Sequence, residues 1–367
     1  MAHISSDGVK YLAISVDNAM QVFEKSSGTT ILQYTNEIVK ENSNENDNNK
    51  ETSCGFICHC FSKDGEYLAA ITENKKVLVW KISEKKLNSS FCLPKRPTCL
   101  DFCHNENTIV AGDKYGDIYR CMYNTKNEEP KLLLGHLSMV LTVKMTQSDK
   151  FIITGDRDEK IRVSCYPNAY TIHLYCLGHT KLVSCLLPFN DDILLSASAD
   201  STVKCWNFKE GTEISSLDIA RTTEKEKFVV SQIAQRDGDV FVIGECSHQL
   251  VHLTLSENNL TYKTSFHLPA QPYSICFSST GEVVTLLKDT SKPFYILQKY
   301  NEGYVEKESS IHHEVNLDHL PEPKYYTQLV KPLRGKRPNA AITPESTINL
   351  QSASKIVKSN HENIVEE

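Results

Sequence analysis

Short polar turns recur along this chain at nearly constant intervals: SSDG from Ser5, SKDG from Ser62, HNEN from His104, QSDK from Gln147, FNDD from Phe189, QRDG from Gln235 and SSTG from Ser278. The spacings are 57, 42, 43, 42, 46 and 43 residues. Each turn precedes a short apolar run (YLAIS, YLAAI, TIVAG, FIITG, ILLSA, VFVIG, VVTLL). A second turn and a second run usually follow, as in NAMQVF, KKVLVW, GDIYRC, DEKIRVS, STVKCW and HQLVHL. Runs of this length, β-branched and aromatic and divided by Asp, Asn and Gly, are strands and not helices.

Several strands in a unit of about 43 residues is the spacing of a β-propeller blade. One blade cannot bury both of its faces, so blades stack radially until the ring closes. The expected fold is therefore all-β: a seven-bladed WD-repeat propeller over residues 1–307 and a largely irregular C-terminal tail over 308–367. The usual closure shares one blade between the two chain ends and so removes an exposed sheet edge. Residues 299–307 (KYNEGYVEK) are the candidate closing strand.

Two units carry the signature from which the repeat takes its name. LLGH ends at His136 and lies 22 residues before Asp158; CLGH ends at His179, 21 residues before Asp200, with Trp206 beyond it. In such units His, Ser or Thr, Asp and Trp form a hydrogen-bonded array that locks the turns at one end of a blade. His136, His179, Asp200 and Trp206 are thus assigned to structure and not to catalysis.

The remaining features are less regular. The first interval exceeds the others because of NEIVKENSNENDNNKETS, residues 36–53, which is too polar to offset the entropy of ordering. It is expected to be a solvated, partly disordered loop. Beyond residue 308 the repeat stops; a short docking segment is expected near 325–333, and Lys331, Arg334, Lys336 and Arg337 form a basic cluster that reads as a nuclear import signal, a phosphate contact or simply a solvated tail. With a formal charge of -6, the chain has to meet any nucleic acid through a local basic surface or through a partner. The thirteen cysteines read as reduced, mostly buried thiols, since the chain opens without a secretory signal. Cys54, Cys58 and Cys60 lack the paired spacing of a zinc site, and no metal is expected. No apolar stretch is long enough to span a membrane as a helix.

One unit departs from its neighbours. In GDRDEKIRVS, residues 155–164, Asp158 aligns with Asp200, Ile161 with Val203 and Val163 with Cys205. Arg157, Glu159 and Lys160 then stand where the next unit has Ala199, Ser201 and Thr202, and Ser164 stands where Trp206 does. Alternation sends Ile161 and Val163 into blade packing and turns Lys160 and Arg162 the other way. A patch of mixed sign is a solvated hairpin or a face that selects a protein partner. It is poorly suited to gripping phosphate directly.

With LLGHLSMVLTV before it and LGHTKLVSCL after it, this string resembles the non-catalytic WD-repeat subunit of the eukaryotic tRNA (guanine-N(7)-)-methyltransferase, over about residues 55–300. The resemblance implies a scaffold. It would bind and stabilise a catalytic methyltransferase subunit as a heterodimer and help position tRNAs for N7 methylation of a guanine in the variable loop. Arg157, Asp158, Glu159, Lys160 and Arg162 are its partner-facing candidates, and Asp158 is alternatively the structural aspartate of its hairpin. Lys144, Lys181 and the tail cluster are candidates for RNA contact. S-adenosylmethionine is expected only in the partner. No motif for a donor site or for hydrolysis is present in this chain, so it is not expected to be an enzyme. The nucleus is the expected location, with the cytoplasm also open to it. The rival reading is a propeller adaptor for a ubiquitin ligase or a chromatin complex, without RNA modification.

Overall fold

In the computed structural model, seven four-stranded antiparallel sheets follow one another along the chain. The described residues are 2–24, 27–36, 54–125, 128–224, 227–289, 291–301, 303–307 and 325–329. Blades 1 to 7 occupy residues 2–35, 56–92, 97–135, 140–176, 183–218, 229–267 and 272–307. The first strand of each blade is innermost, and these strands touch one another all the way round the ring. The seven recurring polar turns join first to second strands, so all lie at one end of the ring. Inter-blade loops and second-to-third turns lie at the other end.

Apolar layers between adjacent sheets hold the ring together. Between blades 4 and 5, Ile153, Ile161 and Val163 face Leu186, Leu194, Trp206 and Phe208, all buried. The opposite face of blade 4 packs Val143 and Ile152 on Val110, Ile118 and Leu134 of blade 3. Both faces of a blade are therefore interior, and period-2 alternation distinguishes one neighbour from the other.

The ring does not close by a shared blade. Residues 303–307 are the fourth strand of blade 7 (Gly303–Lys307), paired with Phe294–Tyr300 of the same sheet, and not a strand exchanged between the chain ends. Blade 1 takes all four strands from the N-terminal segment, beginning at Ala2. The junction is instead a face-to-face apolar layer, with Ala2, Ile4, Leu12, Ile14 and Phe23 against Val284, Leu286, Phe294 and Ile296. Hydrophobic burial, worth about 25 cal/mol per Å², holds this seam without inter-blade strand exchange.

The expected insert begins with an anchored residue. Asn36 is buried; its Nδ2 donates to the Cys54 carbonyl at 2.7 Å and to Asn74 Oδ1 at 3.3 Å. Solvation therefore does not extend to Asn36, and residues 37–53 lie outside the described residues. Within the expected docking segment, a short helix (Tyr325–Leu329) sets Tyr326 and Leu329 against Leu141, Leu182, Ala199 and Val229. The Tyr326 hydroxyl donates to the Ser184 carbonyl at 3.1 Å, and its backbone N–H donates to Glu245 Oε1 at 2.7 Å. All thirteen cysteines are free thiols.

Candidate partner-docking face

Blade 5 shows how a turn at the inter-blade end is fixed. His179 Nε2 lies 2.7 Å from Ser196 Oγ, and Trp206 Nε1 donates to the same oxygen at 2.8 Å. His179 Nδ1 lies 3.0 Å from Asp200 Oδ2, which also accepts the Thr180 N–H, while Asp200 Oδ1 accepts the Thr202 hydroxyl. Burial alone would push the Asp200 carboxyl up. The bonds from His179, Thr202 and the Thr180 N–H outweigh it and hold the carboxyl well below the usual range. A depressed folded-state pKa contributes stability that is present above about pH 4 and lost as the pH falls toward the folded value. Urea midpoints between pH 7 and pH 2.5 should therefore drop at the acid end. In Asp200→Asn the midpoint should be lower at pH 7 and flatter against pH.

Blade 4 builds the same lock from different residues. His136 Nε2 lies 2.7 Å from Thr154 Oγ1, and His136 Nδ1 lies 3.2 Å from Oδ2 of Asp156, not of Asp158. Asp156 Oδ1 accepts the N–H groups of Asp158 and Lys160 at 2.9 and 3.0 Å. Asp156 is buried at the end of its strand and so carries the structural duty first considered for Asp158. Asp113, one unit earlier, holds its own turn in the same way.

Above this mount the turn presents four charged side chains. Arg157 and Asp158 are half-buried, while Glu159 and Lys160 are exposed. Arg157 Nε lies 3.9 Å from Asp158 Oδ1. Glu159 takes the left-handed conformation, with φ of 75°, as Ser201 does in blade 5. The turn geometry is thus common to both blades, and the charge is the difference.

Arg162 is not part of this surface. It is 7% exposed and points into the seam with blade 3. Its Nε donates to Ser164 Oγ at 2.8 Å, and its guanidinium nitrogens donate to the Gly135 and Ala169 carbonyls at 3.0 and 3.1 Å. Ser164 stands where blade 5 has Trp206, and Arg162 bonds the small residue that replaces the ring. Burial lowers its pKa, with Tyr175 opposing. Arg162 does alternate with Ile161 and Val163, but the face opposite them is covered by another blade and not by solvent.

Lys144 is also misplaced as an RNA contact. It projects from the innermost strand of blade 4 (Val140–Met145) into the central channel, where Nζ pairs with Asp101 Oδ1 at 2.9 Å. Although burial opposes its charge, Asp101 raises its pKa overall. The channel is a cavity of about 610 Å³. Burial, together with Lys144, lowers the His3 imidazole to about 4, and burial raises the Cys58 thiol to about 12, so both are neutral near pH 7. Lys181 lies in the loop between blades 4 and 5, half-buried, at the same end as the charged turn. Lys331, Arg334, Lys336 and Arg337 fall outside the described residues.

A family model described as the tRNA methyltransferase TRM82 WD40 domain matches residues 17–131 and 122–302. This chain belongs to that family. It is similar to the tRNA (guanine-N(7)-)-methyltransferase non-catalytic subunit wdr4 of Danio rerio, 33% identical over 267 residues, 69% of this chain and 63% of the relative. The human subunit of the same description, WDR4, is 29% identical over 289 residues, 74% of this chain and 68% of its own length. The subunit wuho of Drosophila grimshawi is 39% identical over 163 residues, 44% of this chain and 42% of that one. Among solved structures, the RRP9 WD40 repeats superpose with a TM-score of 0.64 at 17% identity, covering 78% of this chain and 87% of that one. U3-55K gives 0.65 at 16% identity, with coverages of 83% and 93%. At such identities these two share the fold alone.

Proposed function

We propose that this chain is the non-catalytic scaffold of a tRNA (guanine-N(7)-)-methyltransferase, binding and stabilising a catalytic subunit through the blade-4 turn. The observation that carries the reading is the charged turn at 157–160, mounted on buried Asp156, in a chain whose curated relatives are named non-catalytic subunits. Mixed charges on a fixed backbone select a complementary protein surface and set its register. The chemistry falls to the partner, whose own site would bind S-adenosylmethionine. Here, burial holds the channel thiol of Cys58 protonated near pH 7, an environment that disfavours its use as a nucleophile.

A stacked ring suits this task. Misplacement of reacting groups by about 1 Å can cost on the order of 10²-fold in rate, so a support that fixes the partner contributes through geometry. Binding only the folded partner also stabilises it by mass action. The same reading places the complex in the nucleus, with the basic cluster at 331–337 as the import determinant.

Coexpression of the full chain with the catalytic subunit tests the proposal. A one-to-one complex that methylates tRNA is expected, with the methyl donor bound by the partner alone. Recovery of the chain with a ubiquitin-ligase component and no methyltransferase, or methyl transfer by this chain unaided, would overturn it.

A further inference from the structure

One mouth of the central channel is bordered by the short helix Tyr325–Leu329, whose Tyr326 and Gln328 line the cavity. Its contacts reach three blades. Tyr326 and Leu329 join Met139 on an apolar seat made by Leu141 of blade 4, Leu182 and Ala199 at the edges of blade 5, and Val229 of blade 6. Two polar bonds fix its place. The Tyr326 hydroxyl donates to the Ser184 carbonyl at 3.1 Å, and the Tyr326 N–H donates to Oε1 of buried Glu245 at 2.7 Å.

The seat is prepared by the strands themselves. The register of blade 4 shifts between Val140 and Thr142, and that of blade 5 between Val183 and Cys185. Leu141 and Ser184 are therefore the extra residues of two bulges, left out of the strand ladder and re-aimed. The Ser184 carbonyl takes the Tyr326 hydroxyl, and the Leu141 side chain becomes part of the seat. Ala199 is fully buried where blade 4 carries half-buried Arg157, so the helix covers the turn that lacks the charge.

The seat is also continuous with the charged turn. Met139 packs on it through the side chain, while its carbonyl accepts the Arg157 N–H at 2.9 Å. In blade 5 the Ala199 N–H bonds the Leu182 carbonyl at 3.1 Å, which ties the next loop and turn into the same layer. A single residue thus links the helix to the backbone of the docking turn.

We infer that residues 325–329 form a strap that positions the loop at Met139 and, through it, the blade-4 turn for the catalytic subunit; this rests on the scaffold reading above. Tyr326 and Leu329 are positioning residues, acting through Met139 and making no demand on the partner. A turn held in its bound geometry before encounter loses less freedom on binding, and affinity falls when the hold is released.

The test is the full-length double variant Y326A/L329D, which removes the apolar contacts and the hydroxyl and leaves every residue of the turn in place. Affinity for the methyltransferase subunit is measured, together with hydrogen exchange at the Arg157 amide and in the third strand of blade 2 (Lys76–Lys81) as reference. Pairing should weaken by about tenfold, within the usual range for coupling between two sites on one protein. The Arg157 amide should exchange about tenfold faster while blade 2 stays as protected as in the wild type, because the release is local. Wild-type affinity in the variant overturns the inference. So does an Arg157 amide that exchanges at the wild-type rate, or faster exchange in every blade alike, which marks a general loss of stability. If the wild-type chain pairs with no methyltransferase, the scaffold reading fails separately. Exchange at Arg157 then decides alone: faster in the variant supports the strap, and unchanged overturns it.

Discussion

Arg162→Leu is expected to lower the stability of the propeller by about 2–4 kcal/mol, read as a fall in the urea midpoint. Leucine preserves much of the apolar stem but removes three donors. Ser164 Oγ and the Gly135 and Ala169 carbonyls then lose their charged partner inside the seam between blades 3 and 4. Hydrogen bonds to a charged group contribute about 1.5–3 kcal/mol each when one partner is deleted, and the relief of a buried cation offsets part of that. Arg162→Lys should recover only a fraction, because one ammonium cannot reproduce the planar fork that reaches two carbonyls and a hydroxyl. Both variants should still pair with the catalytic subunit under conditions where they are folded. A folded Arg162→Leu of wild-type stability that fails to pair would return Arg162 to the docking surface.

The ring was legible because its evidence is covalent. Seven turns at a near-constant interval survive any drift in the strands between them, and each falls at the same junction of its blade. What a side chain does on its blade was harder to see. Alternation correctly separated Ile161 and Val163 from Arg162, but in a propeller both faces are dry, so parity names a neighbour and not an exposure. Asp156 and Asp158 share parity and lie two residues apart, and only the distances to His136 distinguish them. Comparison with Asp113, which sits 43 residues before Asp156, was the available signal. Lys144 carried a signal too, since its strand heads a blade and therefore lines the channel. The seam between blades 1 and 7 had none, because a closing apolar layer draws on the same alternating residues as every other layer.

Reversing Arg157 and Lys160 together to glutamate should weaken pairing with the methyltransferase by about 10²-fold or more and lower the stability of the fold by no more than about 1 kcal/mol. Neither side chain contributes to the array below. Asp156 binds His136 and the backbone of the turn, so the tip can change sign while its mount stays intact. Within the protein the two cations are weakly held, with Arg157 Nε 3.9 Å from Asp158 and Lys160 Nζ 3.4 Å from the Asp158 carbonyl. Surface pairs of this kind contribute at most about 1 kcal/mol to folding. The same charges meeting a complementary partner out of water couple by about 1.5–7 kcal/mol per close pair, and reversal adds repulsion to the loss. Sedimentation of the mixed subunits measures the affinity, and a compensating reversal of an acidic residue on the partner should restore it. Wild-type affinity in the doubly reversed chain would remove the blade-4 turn from the interface, and the charge of that one sector would then be an ordinary solvated hairpin.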